Sequence, residues 1–383
     1  MKSNSKGLLQ MVLLLVLAPL ASATTWYVNG VSGNDNNNCL SATTACKTIG
    51  HAISLAASGD SIIVAAATYT ENLTIGVSLK ILGSGATTTI IDGGGVGTVV
   101  TTRANVILSR MTIRHGFAYI GGGIFNYGVL TVNNSIVAGN NAFASGGFIP
   151  MPKGGGIYNR GTMTIKNSTV SGNKAVPLCT FCYSFGGGVA NDGTLTITNS
   201  TITGNSATNG RGSGGGIYNN AVLAVNNSTI TANSARSGGG IVGGHTLTIS
   251  NSTISGNSAT SGGGIEGIAT LKNSIVANNT SGGNCGGTMT SKGYNLSSDG
   301  TCNFTNTGDL NNTDPMLGSL QNNGGPTQTM ALPSGSPAVD AANPSGCTDA
   351  GGHLLKTDQR GKPRPDTEDT SGCDIGAYER QGD

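Results

Sequence analysis

Charged residues are scarce in this 383-residue chain: Asp, Glu, Lys and Arg together make up 10 %, and aromatic residues make up 4 %. An average globular protein has about 25 % charged residues. The chain is nevertheless not typical of a disordered protein, because apolar residues make up 37 % and the net charge is only +2. Glycine, in contrast, is abundant, with 63 residues. So many glycines exclude a mostly helical protein, since glycine inside a helix costs about 1 kcal/mol relative to alanine.

The sequence also has little that could cross a membrane. Its main apolar run, residues 8–20, follows Lys2 and Lys6 and precedes the small residues Ala21-Ser22-Ala23. This order is typical of a secretory signal peptide and its cleavage site. A membrane-spanning helix needs about 20 apolar residues, and this run is shorter. We therefore predict that residues 1–23 are a signal peptide, that the protein is secreted or held at the cell surface, and that it has no membrane span.

Export makes disulfides chemically permissible, and the eight cysteines fall into four local pairs. Many other connectivities are open to eight cysteines, but we predict bonds within these pairs. Cys179 and Cys182 also form a C-x-x-C motif, for which a redox or metal role is the alternative. We expect no metal site and no cofactor. The predicted pairs are Cys39 with Cys46, Cys179 with Cys182, Cys285 with Cys302, and Cys347 with Cys373.

An internal repeat is the strongest pattern in the sequence. A GGGI or GGGV string is followed by an alternating apolar run and then by an Asn-Ser dipeptide. The glycine strings begin at Gly121, Gly154, Gly186, Gly214, Gly238 and Gly262, and the dipeptides at Asn134, Asn167, Asn199, Asn227, Asn251 and Asn273. The last three glycine strings are 24 residues apart. Three short strands and three turns per 24 residues predict one coil of a parallel β-helix, whereas an antiparallel sandwich would not require nearly identical strings in each turn.

The pattern within a coil predicts which side chains face inward. In Leu247-Thr248-Ile249 the apolar residues alternate with threonine, as in a half-buried strand. Asparagine suits the bends because it tolerates left-handed backbone angles. Upstream, apolar residues at helical spacing over residues 48–57 predict a short helix that covers the open first coil.

The repeat strings GGGIYN and NSTISGN resemble secreted bacterial right-handed parallel β-helix proteins, including those with polymorphic outer-membrane-protein repeats. The sequence DPMLGSLQNNGGPTQTMALPSGSPAVDAA from Asp314, with TDQRGKPRP and CDIGAYE after it, is similar to a choice-of-anchor Q module. The resemblance implies an all-β, pectin-lyase-like solenoid in an extracellular or cell-surface protein. We expect a cap region at 24–59, a β-helix at 60–298 and a C-terminal module at 299–383, which docks on the final coil near Leu271 and Ile275.

Carboxylates are nearly absent from the repeats: residues 93–298 contain only Asp192 and Glu266. We place these in coils three steps apart, about 14 Å along the axis, which is too far for a glycosidase pair or a calcium site. The remaining catalytic candidates are Arg110, Arg114 and His115, with Asp92 about one coil earlier. Such bases could take a proton from a uronate. The alternative is that alternation simply places the two arginines on the solvent side.

The charge of the repeats points to a different role. Residues 93–298 carry eleven Lys or Arg against two acids, a net of +9, whereas residues 299–383 have a net of −7. Insertions that shorten along the rod flank a predicted outward column of aromatic residues, with two arginines nearby. These residues are the predicted ligand-binding set: Phe125, Tyr158, Arg160, Arg211 and Tyr218.

Aromatic faces can stack on sugars, and arginine can bind a carboxylate or sulfate through two hydrogen bonds. We therefore expect a binding or structural role, with an anionic polysaccharide or cell-surface glycan as the partner. The alternatives are a charge that serves solubility only, and a polysaccharide lyase or glycoside hydrolase. We do not expect nucleic acid to bind, because the basic residues form no dense stripe.

Overall fold

The computed structural model describes residues 22–144, 151–179, 181–207, 210–344, 346–349, 351–366 and 372–382. Within these residues the chain winds into a right-handed parallel β-helix, as the repeat predicts. Strands from successive coils pair in parallel to form a wide sheet of 18 strands, a middle sheet of ten and a narrow sheet of five. The predicted signal peptide lies outside the described residues, apart from Ser22 and Ala23.

The wide sheet holds two strands from most coils. The strands that follow the glycine strings, or their equivalents upstream, are Leu73–Ile75, Val100–Thr102, Ile124–Asn126, Ile157–Asn159, Val189–Asn191, Ile217–Asn219 and Ile241–Gly243. The next strands of the coils are Thr25–Val28, Ser61–Val64, Leu79–Gly83, Asn105–Ser109, Val129–Asn133, Thr162–Lys166, Thr194–Thr198, Val222–Asn226 and Thr246–Ser250. Two longer strands, Ile265–Lys272 and Cys285–Ser291, end this sheet.

The other two sheets are built from the strands that follow the Asn-Ser corner. The middle sheet contains Ala67–Thr70, Thr89–Asp92, Thr112–Arg114, Ile136–Ala138, Thr169–Ser171, Thr201–Thr203, Thr229–Thr231, Thr253–Ser255, Ile275–Ala277 and Leu296–Ser297. The narrow sheet contains Phe117–Ala118, Asn141–Phe143, Lys174–Val176, Ser206–Ala207 and Ser234–Ala235. Two further pairs are Tyr183–Phe185 with Arg211–Ser213, and the antiparallel Leu320–Gln321 with Thr329–Met330.

The 24-residue step of the sequence appears directly in the strand register. Ile217 pairs with Ile241, and Ile241 with Ile265, and all three side chains are fully buried. Leu247 and Ile249 are buried and Thr248 is half-buried, as the alternation predicts. In these coils, stacking like on like packs the core with equal side-chain volumes.

Neutral polar ladders run through the interior beside the apolar core. At each inner turn an asparagine side-chain N–H donates to the next asparagine's Oδ1 at 3.0 Å, for example from Asn173 to Asn205 and from Asn205 to Asn233. This ladder contains Asn140, Asn173, Asn205, Asn233, Asn257, Asn279 and Asn284. A second ladder joins Asn126, Asn159, Asn191 and Asn219. Because buried polar groups are costly without partners, these ladders lock the register of the coils.

The predicted left-handed bends are confirmed. Six outer-corner asparagines have φ between 47° and 51°, in the left-handed region: Asn134, Asn167, Asn199, Asn227, Asn251 and Asn273. Asparagine tolerates this region better than most residues that carry a β-carbon.

The predicted N-terminal helix is also confirmed, at Ile49–Leu55, preceded by a short 3₁₀ helix at Ala42–Thr44. The Thr48 side chain accepts a hydrogen bond from the backbone N–H of His51, and the Glu71 carboxylate accepts from those of Ile49 and Gly50. These acceptors satisfy N–H groups that a helix leaves unpaired at its start. The cap region also contributes the strand Thr25–Val28, which pairs with Ser61–Val64 and so begins the wide sheet.

The C-terminal segment, residues 314–382, does not sit on the end of the rod. It runs back along the outer Asn-Ser corners, where the Thr327 hydroxyl donates to the carbonyl of Asn199, and Arg364 donates to the Oδ1 of Asn227. The predicted docking is thus right in part. Phe304 and the Cys285–Cys302 disulfide, which include the first residues of the predicted 299–383 module, pack in the rod core with Leu271 and close its end. Ile275 packs in a cluster with the later residues, which continue along the outer corners instead of staying on the final coil.

All four local disulfides are present, with Cα–Cα distances of 5.0, 5.2, 4.9 and 6.2 Å in chain order. The Cys179–Cys182 pair is therefore a disulfide, as predicted. His51 lies close to Cys39 and Cys46, but both sulfurs are bonded to each other and do not offer thiolates to a metal. No helix in the described part of the chain is long and apolar enough to cross a membrane.

Candidate functional site

The three basic catalytic candidates separate into two settings. Arg110 occupies the outer-corner position that asparagine fills in the next coil, and its guanidinium donates to the carbonyl of Ser84 at 2.8 Å. Arg114 and His115 instead share one acceptor. Asp92 Oδ2 lies 2.8 Å from Arg114 Nε and 2.9 Å from His115 Nδ1. Arg110 thus stabilises a corner of the coil, whereas Arg114 and His115 converge on Asp92.

Asp92 and Arg114 meet because their strands are neighbours in the middle sheet, where the two residues are directly paired. Burial raises the pKa of the Asp92 carboxyl, but hydrogen bonds from the Gly94 N–H, Arg114 and His115 outweigh this effect and hold the pKa below its ordinary value. Asp92 is therefore a carboxylate at neutral pH. The predicted alternation also holds here, since Met111 and Ile113 are fully buried between the partly exposed side chains.

A groove of about 290 Å³ opens beside this cluster, and we call it the His115 groove. Phe117, a residue that is 44 % exposed, follows His115 by two positions and forms part of the groove lining. The full lining is Gly94, Gly95, His115, Gly116, Phe117, Gly139 and Asn141. Sequence reasoning missed Phe117, although its place two residues after a candidate base is visible in the repeat.

The predicted aromatic column exists, but its rings are covered. Phe125, Tyr158 and Tyr218 are in register through Ala190, and the first two rings lie 5.0 Å apart. Phe125 is only 8 % exposed and Tyr158 only 6 %. The prediction that these two stack on a ligand is therefore wrong, because neither ring has a free face.

Residues of the insertions cover this column. Lys153 lies 5.5 Å from the centre of the Tyr158 ring, and the Phe185 ring lies 4.5 Å from that of Tyr218. The Tyr158 hydroxyl donates to Asp192 Oδ2 at 2.6 Å, and Lys153 Nζ lies 2.8 Å from the same oxygen. The column and its cover thus form an outer layer of packing on the wide sheet.

The two carboxylates of the repeats have structural partners. Burial raises the pKa of Asp192, but hydrogen bonds from Lys153 and Tyr158 outweigh it and hold the pKa low. Burial and the same bond to Asp192 raise the pKa of Tyr158 far above its ordinary value. Glu266 accepts from the Ser261 hydroxyl at 2.6 Å. The strand register confirms that Asp192 and Glu266 belong to coils three steps apart, since Ala190 connects to Glu266 through Tyr218 and Val242.

The two predicted binding arginines also lie apart. Arg160 sits 5.9 Å from the centre of the Tyr127 ring, whose other neighbour is Arg103 at 5.0 Å. Arg211 sits 5.5 Å from the centre of the Tyr183 ring and donates to its hydroxyl at 2.9 Å. The structure therefore does not gather the five predicted binding residues into one site.

Arg211 does line a second groove, of about 330 Å³, which we call the Arg211 groove. It forms where the long insertion that carries Tyr183 gives way to the two-residue insertions of the later coils. Its floor includes Ser213, Ser237 and Ser261, which are stacked one coil apart. The full lining is Tyr183, Arg211, Gly212, Ser213, Arg236, Ser237, Thr260 and Ser261. Sequence reasoning missed Tyr183 and Arg236, whose position in the insertions was the available signal.

The comparisons with known proteins bear on the fold. No protein-family model matches the chain, and no curated protein matches it in sequence. Among solved structures, the chain is similar to the pectate lyase Pel9A, with 14 % identity and a TM-score of 0.53 over 95 % of this chain and 98 % of that one. Pectin methylesterase PemA from Erwinia chrysanthemi is 12 % identical over 70 % of this chain and 81 % of its own, with a TM-score of 0.37.

At 14 % identity, the similarity to the pectate lyase establishes the β-helix fold alone. The resemblances to polymorphic outer-membrane-protein repeats and to a choice-of-anchor Q module remain predictions.

Proposed function

We propose that the protein binds an anionic polysaccharide or cell-surface glycan, and that the Arg211 groove is its main contact. The observation that carries this proposal is the composition of the groove: two exposed arginines, an exposed tyrosine and a column of serine hydroxyls share one lining. Carboxylates and sulfates are the groups that arginine binds through paired hydrogen bonds, and sugar rings pack on aromatic faces.

The arrangement suits an extended polymer better than a small compact ligand. Ser213, Ser237 and Ser261 repeat once per coil, about 4.8 Å apart, so a chain lying along the axis meets the same hydroxyl at each step. Arg211 and Arg236 come from neighbouring coils in the same way. The net charge of +9 over residues 93–298 adds a longer-range attraction for an anionic partner.

The proposed function also includes secretion of the protein or its location at the cell surface. The leader sequence at residues 1–23 supports export, and four disulfides fit an oxidising compartment. A polysaccharide partner would meet the protein there. We also propose the boundaries 24–59, 60–298 and 299–383 for the cap region, β-helix and C-terminal module.

The test is a titration of the full chain with oligogalacturonate and with a heparin fragment, against a neutral glucan of similar length. Arg211→Ala and Arg236→Ala should each weaken binding of an acidic polymer about tenfold, because each removes a charge-assisted hydrogen bond. Lys166→Ala is the matched control, since it removes an exposed positive charge from the wide sheet. Added salt should weaken binding as well. The groove is not the binding site if both arginine variants bind the acidic polymer as tightly as the control does. Equally tight binding of the neutral glucan would likewise contradict the proposal.

A further inference from the structure

His115 stands where the repeat places a residue with left-handed backbone. Its φ is 54°, and the residues in register with it in later coils are Gly139, Gly172, Gly204, Ala232, Gly256 and Asn278. Glycine adopts this conformation freely, whereas residues with a β-carbon do not. Ala232 and Asn278 show that the corner accepts other residues with a β-carbon, but His115 differs from them because a carboxylate holds its ring, and strained positions of this kind are frequent at functional sites.

The histidine is held in a defined protonation pattern. A carboxylate only accepts hydrogen bonds, so the contact of 2.9 Å to Asp92 requires His115 Nδ1 to carry the proton. In the neutral ring Nε2 then has a free lone pair and can act as a base. The side chain is 55 % exposed and lines the His115 groove, so a ligand can reach it.

Two further features of the groove suit an acidic sugar. The Arg114 side chain is bound to Asp92 through Nε, and it remains 36 % exposed, so its outer nitrogens can meet a carboxylate. The exposed ring of Phe117 offers an apolar face beside the base. Of the described residues that line this groove, none is acidic. That lining does not match the paired carboxylates of glycoside hydrolysis. Together with Arg114, which is not part of the lining but shares Asp92 Oδ2 with His115, it matches a reaction that needs one base and one cation.

We propose that the His115 groove cleaves a uronate-containing polysaccharide by β-elimination, with His115 as the base and Arg114 as the partner of the uronate carboxylate. This inference rests on the proposed function for its substrate class. His115 Nε2 takes the proton from the carbon that bears the carboxylate, and the electron pair of that C–H bond forms a C=C bond to the neighbouring carbon. The glycosidic C–O bond at that neighbour breaks, and the departing oxygen takes a proton from water. The hydroxide left behind recovers the proton from the imidazolium.

Binding and cleavage can occur on one polymer. The corner of His115 and the coil that contains Arg211 are three coil steps apart, about 14 Å along the axis, and both grooves border the narrow sheet. Because the two grooves lie at opposite ends of the narrow-sheet strands, a polymer that occupies both must also cross this sheet.

The experiment follows unsaturated ends by ultraviolet absorbance, with polygalacturonate, alginate and heparin as substrates and a chelator present. His115→Gly is the informative variant, because glycine occupies the same corner in four later coils and the fold accepts it there. It should lower the rate on the order of a hundredfold or more and leave polymer affinity unchanged. Added imidazole should restore part of the activity by replacing the lost base. His245→Gln, at an exposed turn, is the control and should match the unchanged protein.

The outcomes separate the two proposals. If the polymers bind but no unsaturated ends form, or if new reducing ends form without unsaturation, the elimination mechanism is wrong and the binding proposal stands. A rate in His115→Gly equal to that of the control also overturns the mechanism. If none of the acidic polymers binds, the proposed function is wrong, and this inference, which takes its substrate from it, is overturned with it.

Discussion

The regular coils and the coil that precedes them use the same positions differently. In the coils from Gly121 onward, the outer corners hold asparagine and the inner turns hold the buried asparagine ladder. One coil earlier, the corresponding residues are Arg110 and Gly116, and Asn140 Oδ1 ends the ladder by accepting from the backbone N–H of Gly116. The cluster of Asp92, Arg114 and His115 lies beside this break. The asparagines that recur in each regular coil thus stabilise the stack. The cluster of ionisable side chains lies where the asparagines are replaced.

The largest effect should come from breaking the ladder in the regular coils. Asn205 accepts from the backbone and side-chain N–H groups of Asn173 and donates to the carbonyl of Val170 and to Asn233, all at 2.9–3.0 Å. Asn205→Ala leaves these buried groups unpaired, so we expect a loss of about 3–5 kcal/mol in the free energy of unfolding, measured by chemical denaturation. Ser58→Ala, at an exposed turn, should cost about 0.5 kcal/mol or less. Similar losses in both variants would show that the ladder does not stabilise the coils.

A second prediction contrasts the neutral ladders with the buried charges of the C-terminal segment. Burial raises the pKa of Glu379 to about 8, despite the opposing effect of Arg364, whose Nε lies 2.7 Å from it, and Asp374 adds to the rise. The folded protein therefore holds a proton that the unfolded chain releases above its lower, ordinary pKa. Stability contributed by this group is present at low pH and is lost as the pH rises toward about 8, by about 2–3 kcal/mol between about pH 6 and pH 8.

Glu379→Gln is the matched variant, since it keeps the shape and cannot release a proton. Its unfolding free energy should change less over this pH range than that of the unchanged protein, as followed by chemical denaturation at each pH. If the two pH profiles coincide, Glu379 is ionised in the folded protein throughout and the predicted linkage is absent.

The contrast between these regions also explains what the sequence could predict. The same short strings recur in each coil, so strand order, buried faces and left-handed asparagines follow from them, and the local disulfides follow from the spacing of the cysteines. The insertions have no such period, so the covering of Tyr158 by Lys153 and of Tyr218 by Phe185 could not be predicted. The path of the C-terminal segment depends on contacts between residues more than a hundred positions apart, such as Arg364 with Asn227, and no local pattern encodes them.

The smallest predicted change in stability concerns one corner where alanine replaces the usual glycine. Ala232 has φ of 56° at the corner where Gly204 and Gly256 stand in the adjacent coils. Ala232→Gly should relieve the left-handed strain and raise the free energy of unfolding by about 0.5–1 kcal/mol, seen as a small increase in melting temperature. Ala221→Gly is the control, because Ala221 lacks a positive φ and glycine there should destabilise slightly. A lower melting temperature for Ala232→Gly would mean that this corner is not strained.

The location of a bound acidic oligosaccharide tests the central claim most directly, namely that the departures from the repeat form the functional surface. Backbone hydrogen exchange of the full chain can be compared with and without saturating oligogalacturonate. We predict slower exchange at residues 211–213, 236–237 and 260–261, which line the Arg211 groove, and unchanged exchange in the regular strand Thr246–Ser250. Protection of Thr246–Ser250 with no change at the groove residues would contradict the account.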